Sequence, residues 1–548
     1  MAKRADFKAL GRKYSIDPVV ARLIRNRDII TDKEFDEYLN GKVEEMADPF
    51  LMKDMSKAVA ILQNKIADGA YIRIVGDYDI DGIMATYILN TGLKALGAHV
   101  DYTVPHRIKD GYGISEGIVR KAKEDGVDTI ITCDNGISAS AQMTLAKELG
   151  MTTIVTDHHD VVTVPDADAV VDPKQEDCPY PFKLLCGAAV AWKLLKALQC
   201  PVTDDLIEYA AFATIGDIVA LKGENRTLVR AGFERLHHTA NIGLLKLLEV
   251  NKLKAEDIRA YHVGFVLGPC LNASGRLSSA LEAVRLLETE DEKEAESIAT
   301  HMKSLNERRK EMTEEGVKQA EVQILAGDFS EDDIYVIYLP DCHESVAGII
   351  AGRIREKYSH PVYVLTDGEN CVKGSGRSIE KYSMIDGLKE CADLLEKFGG
   401  HPLAAGISLK KENIEAFRKR LNEKSELTKE DFYNKIAIDM LMPMSYVTEE
   451  LIDQMTLLEP YGQENPEPVF AMKDVHADSV RLVGKEGNVA KLRLTSADGY
   501  SFNAVCFRDA GGLVDRIQKS PIFSIVYYPT VNEFRGKRTI EAVVTHYR

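Results

Sequence analysis

Short apolar runs and segments of helical periodicity alternate along residues 71–172. The runs are predicted strands, and they read YIRIVG (71–76), HVDYTV (99–104), DTIITC (128–133), TTIVT (152–156) and DAVVD (168–172). Segments with apolar residues at helical spacing lie between them. Apolar strands that alternate with helices form parallel sheets covered on both faces, so the pattern predicts an α/β domain with a parallel sheet.

The pattern changes three times beyond this unit. Residues 183–290 are predicted to be mainly helical, residues 290–326 form a long charged helix, and a second α/β unit starts near Ile334. From Phe432, five short alternating runs predict a small β-barrel, with an oligonucleotide-binding (OB) fold as the leading candidate. The expected divisions are a helical segment (1–68), a catalytic α/β domain (69–290), a connecting helix (291–330), a smaller α/β domain (331–425) and the barrel (432–548).

Composition places the chain among globular proteins and limits its partners. The 548 residues carry a net charge of −17, which argues against nucleic-acid binding over the whole surface but leaves room for a local basic groove. The nine cysteines are scattered without a CxxC pair, as in proteins with reduced thiols. Because no apolar leader or run of about 18 apolar residues occurs, we expect a cytoplasmic protein.

Polar side chains follow four successive predicted strands. They are Asp77, Asp79 and Asp81; His106 and Arg107; Asp134, Asn135 and Gly136; and Asp157, His158, His159 and Asp160. Side chains two apart at the end of a strand point the same way, so Asp79 and Asp81 are expected to aim at a cation in the crevice of the sheet. An acidic turn on a solvated face is the alternative for the first group, but it does not explain two adjacent histidines.

One further carboxylate and one further polar island fall in the helical region. Asp217 interrupts the apolar segment AAFATIGDIVAL (210–221), where burial is costly unless the acid is paired or binds metal. A helix cap is the other interpretation of Asp217. NASGR (272–276) is predicted to be a loop.

Two segments of the second α/β unit are rich in Gly, Ser, Arg and His. They are GSGRS (374–378) and FGGHPLAAGISL (398–409), which we predict to be loops that follow the helix HESVAGIIAGRIREKY (343–358). Backbone N–H groups and a guanidinium in such loops bind anions. A single GSGR is equally typical of a tight turn, but two such segments in one small domain favour phosphate binding.

Six candidate metal ligands emerge, without a thiolate among them. They are Asp79, Asp81, Asp134, His158, His159 and Asp217. Oxygen and nitrogen donors suit Mn²⁺ or Mg²⁺ better than structural zinc. Six donors are too many for one open ion and suit two ions about 3.5–4 Å apart, an arrangement that activates water against phosphorus. The residues alone therefore predict metal-dependent hydrolysis of a phosphoester or a phosphoanhydride.

The motifs resemble those of the DHH phosphoesterase superfamily. DHH (157–159) follows DYDIDG (77–82) and CDNG (133–136) and precedes GDIVAL (216–221). The FGGHPLAAG segment is similar to the motif of the accessory DHHA1-type domain. Together with NASGR, HESVAGIIAGRI, GSGRS and YGQENPEPVF (461–470), the order resembles the branch of single-strand-specific 5′→3′ DNA exonucleases over nearly the whole chain.

The resemblance implies a role for each matching residue. The six candidate ligands would hold two Mn²⁺ or Mg²⁺ ions, with Asp81, Asp134 and His159 central to catalysis. Asp77 and Asp157 would orient those ligands, although either could bind metal itself. Ser375, Arg377 and His401 would contact phosphate, and Arg107 and Arg276 would line the same groove. The implied function is DNA repair and recombination by a monomer on single-stranded DNA, with a single-strand-binding protein and a RecQ-type helicase as partners.

The barrel and the competing functions remain open at this stage. Basic and aromatic residues of the barrel would either bind a strand or serve its structure: Lys485, Lys491, Arg493, Tyr527, Tyr528, Phe534, Arg535, Lys537 and Arg538. The competing functions are a phosphodiesterase of short oligonucleotides or cyclic dinucleotides, an inorganic pyrophosphatase, and a non-catalytic single-strand-binding scaffold. The barrel argues against the first two, and the complete ligand set argues against the third.

Overall fold

The computed structural model describes residues 4–107, 110–327, 329–433, 435–484, 487–534 and 536–548, without the side chain of Phe534. Lys485 and Arg535, predicted at the barrel, lie outside the described residues. The helices are α1 (Phe7–Tyr14), α2 (Pro18–Asn26), α3 (Asp32–Asn40), α4 (Met55–Ala67), α5 (Ile80–Ala95), α6 (Glu116–Glu124), α7 (Ser140–Glu148), α8 (Gly187–Ala197), α9 (Ile207–Gly216), α10 (Gly223–Leu236), α11 (Ile242–Val250), α12 (Ala260–His262), α13 (Gly268–Leu277), α14 (Leu281–Glu288), α15 (Glu292–Leu325), α16 (Glu344–Tyr358), α17 (Met384–Lys389), α18 (Ile414–Glu423), α19 (Glu449–Met455) and α20 (Ala510–Lys519). The strands are β1 (Tyr71–Val75), β2 (His99–Thr103), β3 (Thr129–Cys133), β4 (Thr152–Thr156), β5 (Ala169–Val171), β6 (Tyr335–Tyr338), β7 (Val362–Asp367), β8 (Val372–Arg377), β9 (Leu395–His401), β10 (Ala404–Leu409), β11 (Met440–Leu441), β12 (Phe470–Val483), β13 (Val489–Thr495), β14 (Ser501–Cys506), β15 (Ile522–Phe534) and β16 (Lys537–Tyr547).

The first sheet is parallel throughout, which confirms the predicted α/β domain. Its strand order is β2-β1-β3-β4-β5. The chain leaves β1 toward β2 on one side and returns to β3 on the other, so the order reverses beside β1. Ligands of open parallel sheets bind at such a reversal, beyond the carboxyl ends of the strands. The polar residues predicted from the sequence follow these strand ends.

The second sheet is mixed, and its order is β6-β7-β8-β10-β9. Only β6 and β7 pair in parallel; β7, β8, β10 and β9 form an antiparallel ladder. The long helix α15 joins the two α/β units, as the charged periodic segment predicted, and Gly316 of this helix lies against Ile350 of α16.

Three segments predicted to be loops belong to regular elements instead. NASGR lies within α13, GSGRS falls mainly within β8, and FGGHPLAAG spans the hairpin β9–β10. Two of these glycines, Gly275 and Gly374, lie in close contact with neighbouring residues, whereas a Cβ at Gly399 or Gly406 would meet no atom within 4 Å. A Cβ at Gly275 would lie 2.2 Å from the Tyr78 carbonyl oxygen, and one at Gly374 would lie 2.4 Å from Leu365.

A closed barrel of five strands, β12-β13-β14-β16-β15, occupies the C-terminal part of the chain. The pairing of β12 with β15 closes it, as expected for an OB fold. Tyr527 is wholly buried, and its hydroxyl donates a 2.7 Å hydrogen bond to the Met442 carbonyl oxygen. Tyr527 is therefore part of the core. Of its two predicted roles, the structural one is confirmed and stacking against a base is wrong.

The N-terminal helices and the barrel share one hydrophobic core. Val20, Leu23 and Phe35 from the helices pack in the same cluster as Phe470 and Ile525 from the barrel. We call this combined unit, α1–α3 with β11–β16, the barrel body. Within the described parts of the chain, no helix is long and apolar enough to cross a membrane.

Leu23→Ala tests whether the N-terminal helices stabilise the barrel. Because Leu23 is wholly buried in the shared core, its truncation should lower the free energy of unfolding of the barrel body by about 2–5 kcal/mol. Native-state hydrogen exchange of the amides in β12–β16 measures this change. Ile30→Ala, at a position that is 59% exposed, is the control. Barrel protection equal to wild type in Leu23→Ala would contradict a shared core.

Candidate metal centre and anion-binding cleft

The turn after β1 carries the first group of carboxylates. The Asp79 carboxylate caps α5 and accepts hydrogen bonds from the backbone N–H groups of Asp81 and Gly82, both at 3.1 Å. Asp79 and Asp81 therefore belong to the start of a helix, so the strand alternation predicted to orient them does not apply. Helix capping, rather than strand geometry, brings the two side chains to the crevice.

The N-terminus of α8 holds the Asp81 carboxylate. The backbone N–H groups of Gly187 and Ala188 donate hydrogen bonds of 2.6 and 2.7 Å to its two oxygens. The positive end of the helix dipole stabilises a carboxylate in this position. Gly187 has no room for a side chain, since a Cβ there would lie 2.6 Å from the Cβ of Asp134.

Asp134 follows β3 in a left-handed backbone conformation, with φ of 61°. Its neighbour Asn135 fixes this turn. The Asn135 amide donates hydrogen bonds to the carbonyl oxygens of Val75 and Cys133 at 3.0 and 2.9 Å, and its oxygen accepts one from Ile114 N–H at 3.1 Å. Asn135 thus ties the ends of β1 and β3 together beneath the Asp134 carboxylate.

Asp157 organises the two histidines that follow it. One carboxylate oxygen lies 2.7 Å from the His158 backbone nitrogen and 2.7 Å from Nδ1 of His159. The other oxygen accepts a hydrogen bond of 2.9 Å from Ile137 N–H. The His159 ring is therefore held through Nδ1. Although burial disfavours the charged ring, this bond raises the pKa of His159 to about 9.

Asp217 lies at the C-terminal end of α9, directly before Ile218, whose φ is 59°. It converges with residues of three other motifs. His158 Nε2 lies 3.1 Å from Asp134 Oδ1, 3.5 Å from Asp81 Oδ2 and 3.7 Å from Asp217 Oδ2. The structure brings together all six predicted ligands and Asp77, in three overlapping triads whose ligand atoms lie within 4.8 Å: Asp134, His158 and His159; Asp81, His158 and Asp217; and Asp77, Asp79 and Asp134.

The cluster contains buried polar atoms that the protein itself does not satisfy. Asp77 Oδ1, Asp134 Oδ1 and His158 Nε2 have no hydrogen-bond partner among the described residues. Burial and neighbouring carboxylates raise the pKa of Asp77 and of Asp217 to about 8, and burial raises that of Asp134 far above its ordinary value. Divalent cations would supply the missing partners, and the oxygen and nitrogen donors fit Mn²⁺ or Mg²⁺.

Tyr112 borders this cluster and was not identified from the sequence. Its hydroxyl donates a hydrogen bond to the Asp134 carbonyl oxygen at 3.2 Å and lies 3.2 Å from the ring nitrogens of His159. Burial and the surrounding carboxylates raise its pKa, so the hydroxyl stays protonated. Its only signal in the sequence is a tyrosine between two glycines, Gly111 and Gly113, both of which have positive φ.

Unpaired arginines border the cleft between the two α/β units. Arg276 Nη1 donates a 2.8 Å hydrogen bond to the Ser345 carbonyl oxygen at the start of α16. Arg377 Nη1 bonds the Gly376 carbonyl oxygen at 2.7 Å and lies 3.3 Å from Ser375 Oγ. The guanidinium of Arg107 lies 4.8 Å from the ring centroid of Tyr78. Within the described residues, none of the three arginines has a carboxylate partner.

The guanidinium groups act on one another through their charges. Burial, and then the charge of Arg107, lowers the pKa of both Arg276, to about 10, and Arg377. The predicted residues Arg107, Arg276, Ser375 and Arg377 therefore form one basic group, which suits a bidentate anion such as phosphate. His401 lies at the exposed end of β9. It is near Asp160, whose pKa is lowered chiefly by the hydrogen bond from Lys174.

Four of the basic residues predicted to bind a strand are exposed on β13 and β16. Arg493 Nη1 donates a 3.0 Å hydrogen bond to Asn503 Oδ1, and Arg538 pairs with Glu449 at 3.2 Å. Lys491 and Lys537 are also exposed, and Tyr528 is half-buried. These side chains leave a positive surface on the barrel, outside the acidic metal centre.

Three family models match the chain in the order of its structural units. The DHH family N-terminal domain matches residues 71–216, the DHHA1 domain residues 331–426 and the RecJ OB domain residues 438–546. Single-stranded-DNA-specific exonuclease RecJ of Bacillus subtilis is 36% identical, over 98% of this chain and 69% of the relative. Its namesake from Escherichia coli is 33% identical, over 96% of this chain and 95% of the relative.

Solved structures agree with this similarity. RecJ of Thermus thermophilus in complex with Mn²⁺ superposes with a TM-score of 0.84 at 28% identity, covering 100% of this chain and 78% of the other. A structure of exonuclease RecJ bound to manganese matches with a TM-score of 0.61 at 35% identity, covering 68% of this chain and 94% of the other.

The pH dependence of stability tests the electrostatics of the cluster. Between pH 7 and 9 the folded, metal-free protein holds protons on Asp77, Asp217 and His159 that the unfolded chain lacks, because their folded pKa values are raised to about 8, 8 and 9. The free energy of unfolding should therefore fall as the pH rises through this window. Urea denaturation with a chelator measures the slope.

Two controls attribute that slope to the cluster. Saturating Mn²⁺ should reduce it, because a bound cation stabilises the ionised carboxylates, and Asp217→Asn should reduce it in the metal-free protein. A slope that neither Mn²⁺ nor Asp217→Asn changes would show that other groups cause it.

Proposed function

Because the chain belongs to the RecJ family of single-stranded-DNA-specific exonucleases, we propose that it hydrolyses single-stranded DNA to mononucleotides from the 5′ end in a metal-dependent reaction. The observation that supports this most is the convergence of seven acidic and imidazole side chains beside an unpaired basic cleft. An acidic centre binds cations and a basic cleft binds phosphate. A phosphodiester chain whose end lies in the cleft is the substrate that uses both.

We propose that two Mn²⁺ or Mg²⁺ ions bind this cluster. The ligands would be Asp79, Asp81, Asp134, His158, His159 and Asp217. When bound, such ions activate water and neutralise the charge that grows on the attacked phosphate. The unpartnered oxygen of Asp77 faces the same cluster, which favours a ligand role for it as well.

The chain's own groups prepare this centre. Asp157 keeps His159 oriented through Nδ1, so that its other nitrogen is free to bind an ion. The amides of Gly187 and Ala188 hold the Asp81 carboxylate in place and partly offset the effect of burial, which raises its pKa. The Tyr112 hydroxyl, protonated at neutral pH, donates its hydrogen bond to the Asp134 carbonyl oxygen and so holds the turn that carries this carboxylate.

The basic group would recognise the end of the strand. Arg377, Ser375, Arg276 and Arg107 would bind the 5′-terminal phosphate, and His401 would contact phosphate from the hairpin β9–β10. A terminal phosphomonoester carries more charge than an internal phosphodiester, so a cluster of guanidinium groups prefers the end of a chain. Arg276 and the metal cluster both lie beside Tyr78, so the anchored end would present a nearby phosphodiester for cleavage.

The barrel would hold the strand that remains. Lys491, Arg493, Lys537 and Arg538 offer phosphate contacts, as in other OB folds. Sterics at the cleft, rather than base reading, would exclude duplex DNA. We propose domains at 69–290, 331–425 and 432–548, with 1–68 and 291–330 as helical additions. Family models that match residues 71–216, 331–426 and 438–546 support the first part of the first range and the other two ranges. We also propose a cytoplasmic monomer that acts in repair and recombination with a single-strand-binding protein and a RecQ-type helicase.

The competing functions fit this structure less well. A phosphodiesterase of short oligonucleotides or a pyrophosphatase has no use for the C-terminal barrel. A non-catalytic scaffold would have no need for the complete set of donors that converges here.

End-resolved digestion tests the proposed function. A single-stranded DNA labelled at either terminus would be incubated with Mn²⁺, Mg²⁺ or chelator, beside a blunt duplex and a dinucleotide. Mononucleotides released in order from the 5′ end, only with metal and only from the single strand, are the expected result. Cleavage of the dinucleotide alone would favour a small-substrate phosphodiesterase, and tight binding without cleavage would favour a scaffold.

Asp134→Ala tests the metal centre. We expect the variant to fold but to lose hydrolysis. Asp134 belongs to two of the three triads, and water cannot replace a carboxylate that they share. Circular dichroism establishes folding, and release of labelled nucleotide measures activity. Asp166→Ala, which removes an exposed carboxylate paired with Lys147, is the control and should keep wild-type turnover. Wild-type turnover in Asp134→Ala would refute the two-metal assignment.

Arg377→Ala tests recognition of the strand end. Loss of this guanidinium should raise the apparent KM for a 5′-phosphorylated strand by about 10-fold or more, since charge-assisted hydrogen bonds are worth about 1.5–3 kcal/mol. The preference for a 5′-phosphate over a 5′-hydroxyl should shrink with it. Arg420→Ala, which removes an exposed arginine paired with Asp393 in the same domain, is the control. An unchanged KM and end preference would exclude Arg377 from the site.

A further inference from the structure

A buried arginine joins the catalytic α/β domain to the barrel body. Arg226 of α10 is 1% exposed, and its hydrogen-bond acceptors among the described residues are carbonyl oxygens. It donates to the carbonyl oxygens of Tyr38 at 2.9 Å, Leu458 at 3.0 Å and Leu457 at 2.7 Å. Its guanidinium also lies 3.8 Å from the centroid of the Tyr38 ring. A single side chain of the catalytic domain thus contacts both the N-terminal helices and residues 457–458, directly before the segment that leads into the barrel.

The segment that leads into the barrel, residues 459–467, is anchored on its other side by Asn465. The Asn465 amide donates to the carbonyl oxygens of Leu458 and Pro460 at 2.8 and 2.7 Å. Its oxygen accepts hydrogen bonds from the Tyr38 hydroxyl at 2.9 Å and from Arg27 Nε at 2.7 Å. This network, which the YGQENPEPVF motif supplies in part, fixes the leading segment to the N-terminal helices.

The leading segment in turn contacts the loop that carries Asp217. The Leu221 backbone N–H donates a 2.9 Å hydrogen bond to the Gln463 carbonyl oxygen. Gly462 lies directly against Leu221, because a Cβ at Gly462 would be 2.7 Å from Leu221 Cδ1. Lys222 and Glu464 form an ion pair at the rim of the same contact.

This loop is exposed at Ile218 but buried at Ala220 and Leu221, which are 6% and 1% exposed. Ile218 is 69% exposed and lines a cavity of about 1100 Å³ together with Tyr461 and Pro466. The Ala220 carbonyl oxygen is held by Asn225 at 3.0 Å, within the catalytic domain. The contacts of Gly462, Gln463 and Glu464 with Leu221 and Lys222 therefore connect the leading segment to the loop of Asp217.

We propose that Arg226 and the leading segment are positioning residues for Asp217, so that docking of the barrel body sets the geometry of the metal centre. This inference rests on the proposed function, in which Asp217 binds a catalytic ion. Neither Arg226 nor residues 459–467 touch the metal or the substrate; they act through the loop from Asp217 to Leu221. Mutation of residues that position metal ligands in this indirect way typically lowers metal affinity by about 10–100-fold.

Direct Mn²⁺ binding to the full-length protein is the test, with free Mn²⁺ measured by electron paramagnetic resonance. Arg226→Gln should weaken the binding of one of two ions by about 10-fold or more while the other ion binds as in wild type. Gly462→Val changes only an exposed residue, so it should fold, and its side chain would displace Leu221. This variant should weaken the binding of the same ion. At saturating Mn²⁺, both variants should approach wild-type kcat, because the catalytic groups are intact.

Two control variants separate positioning from general loss of stability. Arg516 in the barrel also donates to three carbonyl oxygens, those of Ser520, Ile522 and Arg548, at a place remote from the joint. Arg516→Gln should lower stability without changing Mn²⁺ binding. A Cβ at Gly511 meets no atom within 4 Å, so Gly511→Val is the counterpart of Gly462→Val.

The outcomes distinguish this inference from the proposed function. If wild type binds two Mn²⁺ ions and degrades single strands but Gly462→Val and every folded Arg226 variant bind both ions normally, the positioning role is wrong and the function stands. If Arg226→Gln does not fold, the result for Gly462→Val decides. If wild type itself binds no Mn²⁺ or degrades no strand, the proposed function fails first.

Discussion

Electrostatic repulsion between carboxylates that are buried together is the constraint on which this structure depends. Asp77, Asp79, Asp81, Asp134 and Asp217 converge at the carboxyl edge of one parallel sheet, and burial raises the pKa of four of the five. The fold compensates only in part. Backbone N–H groups at the start of α5 and α8 stabilise two of the carboxylates, and Asp157 fixes an imidazole beside them. Divalent cations would compensate the repulsion that remains between the carboxylates, which is why the cluster suits metal chemistry.

The opposite charge is concentrated a short way along the same cleft. The chain as a whole is acidic, with a net charge of −17, yet three guanidinium groups gather without carboxylate partners among the described residues. Helix α13 connects the two sites physically. Gly275 lets this helix approach the Tyr78 carbonyl oxygen, next to the turn that carries Asp79. The next residue of the helix, Arg276, belongs to the basic group. In the proposed function, helix α13 would thus set the separation between the bound 5′-terminal phosphate and the phosphodiester at the metal centre.

The barrel body is attached to this centre by hydrogen bonds rather than by apolar packing alone. Arg226 places an uncompensated charge among three carbonyl oxygens, which is costly to bury unless the geometry of all the partners is maintained. Such a contact tolerates little displacement. These hydrogen bonds and the contact of Gln463 with Leu221 therefore connect the barrel body, through residues 457–467, to the loop that carries Asp217.

The sequence by itself determined the parallel sheet, the barrel and the identity of the converging donors. Strand periodicity is local, and parallel topology brings strand ends to one edge, so residues after β1, β3 and β4 had to meet. Tertiary structure decided what glycine-rich segments do: NASGR became a helix and GSGRS a strand, because glycine permits several conformations and close packing selected one. It also decided that Tyr527 is core, that Tyr112 faces His159 and that Arg226 joins two units. Each of these depends on partners distant in sequence, which no local pattern encodes.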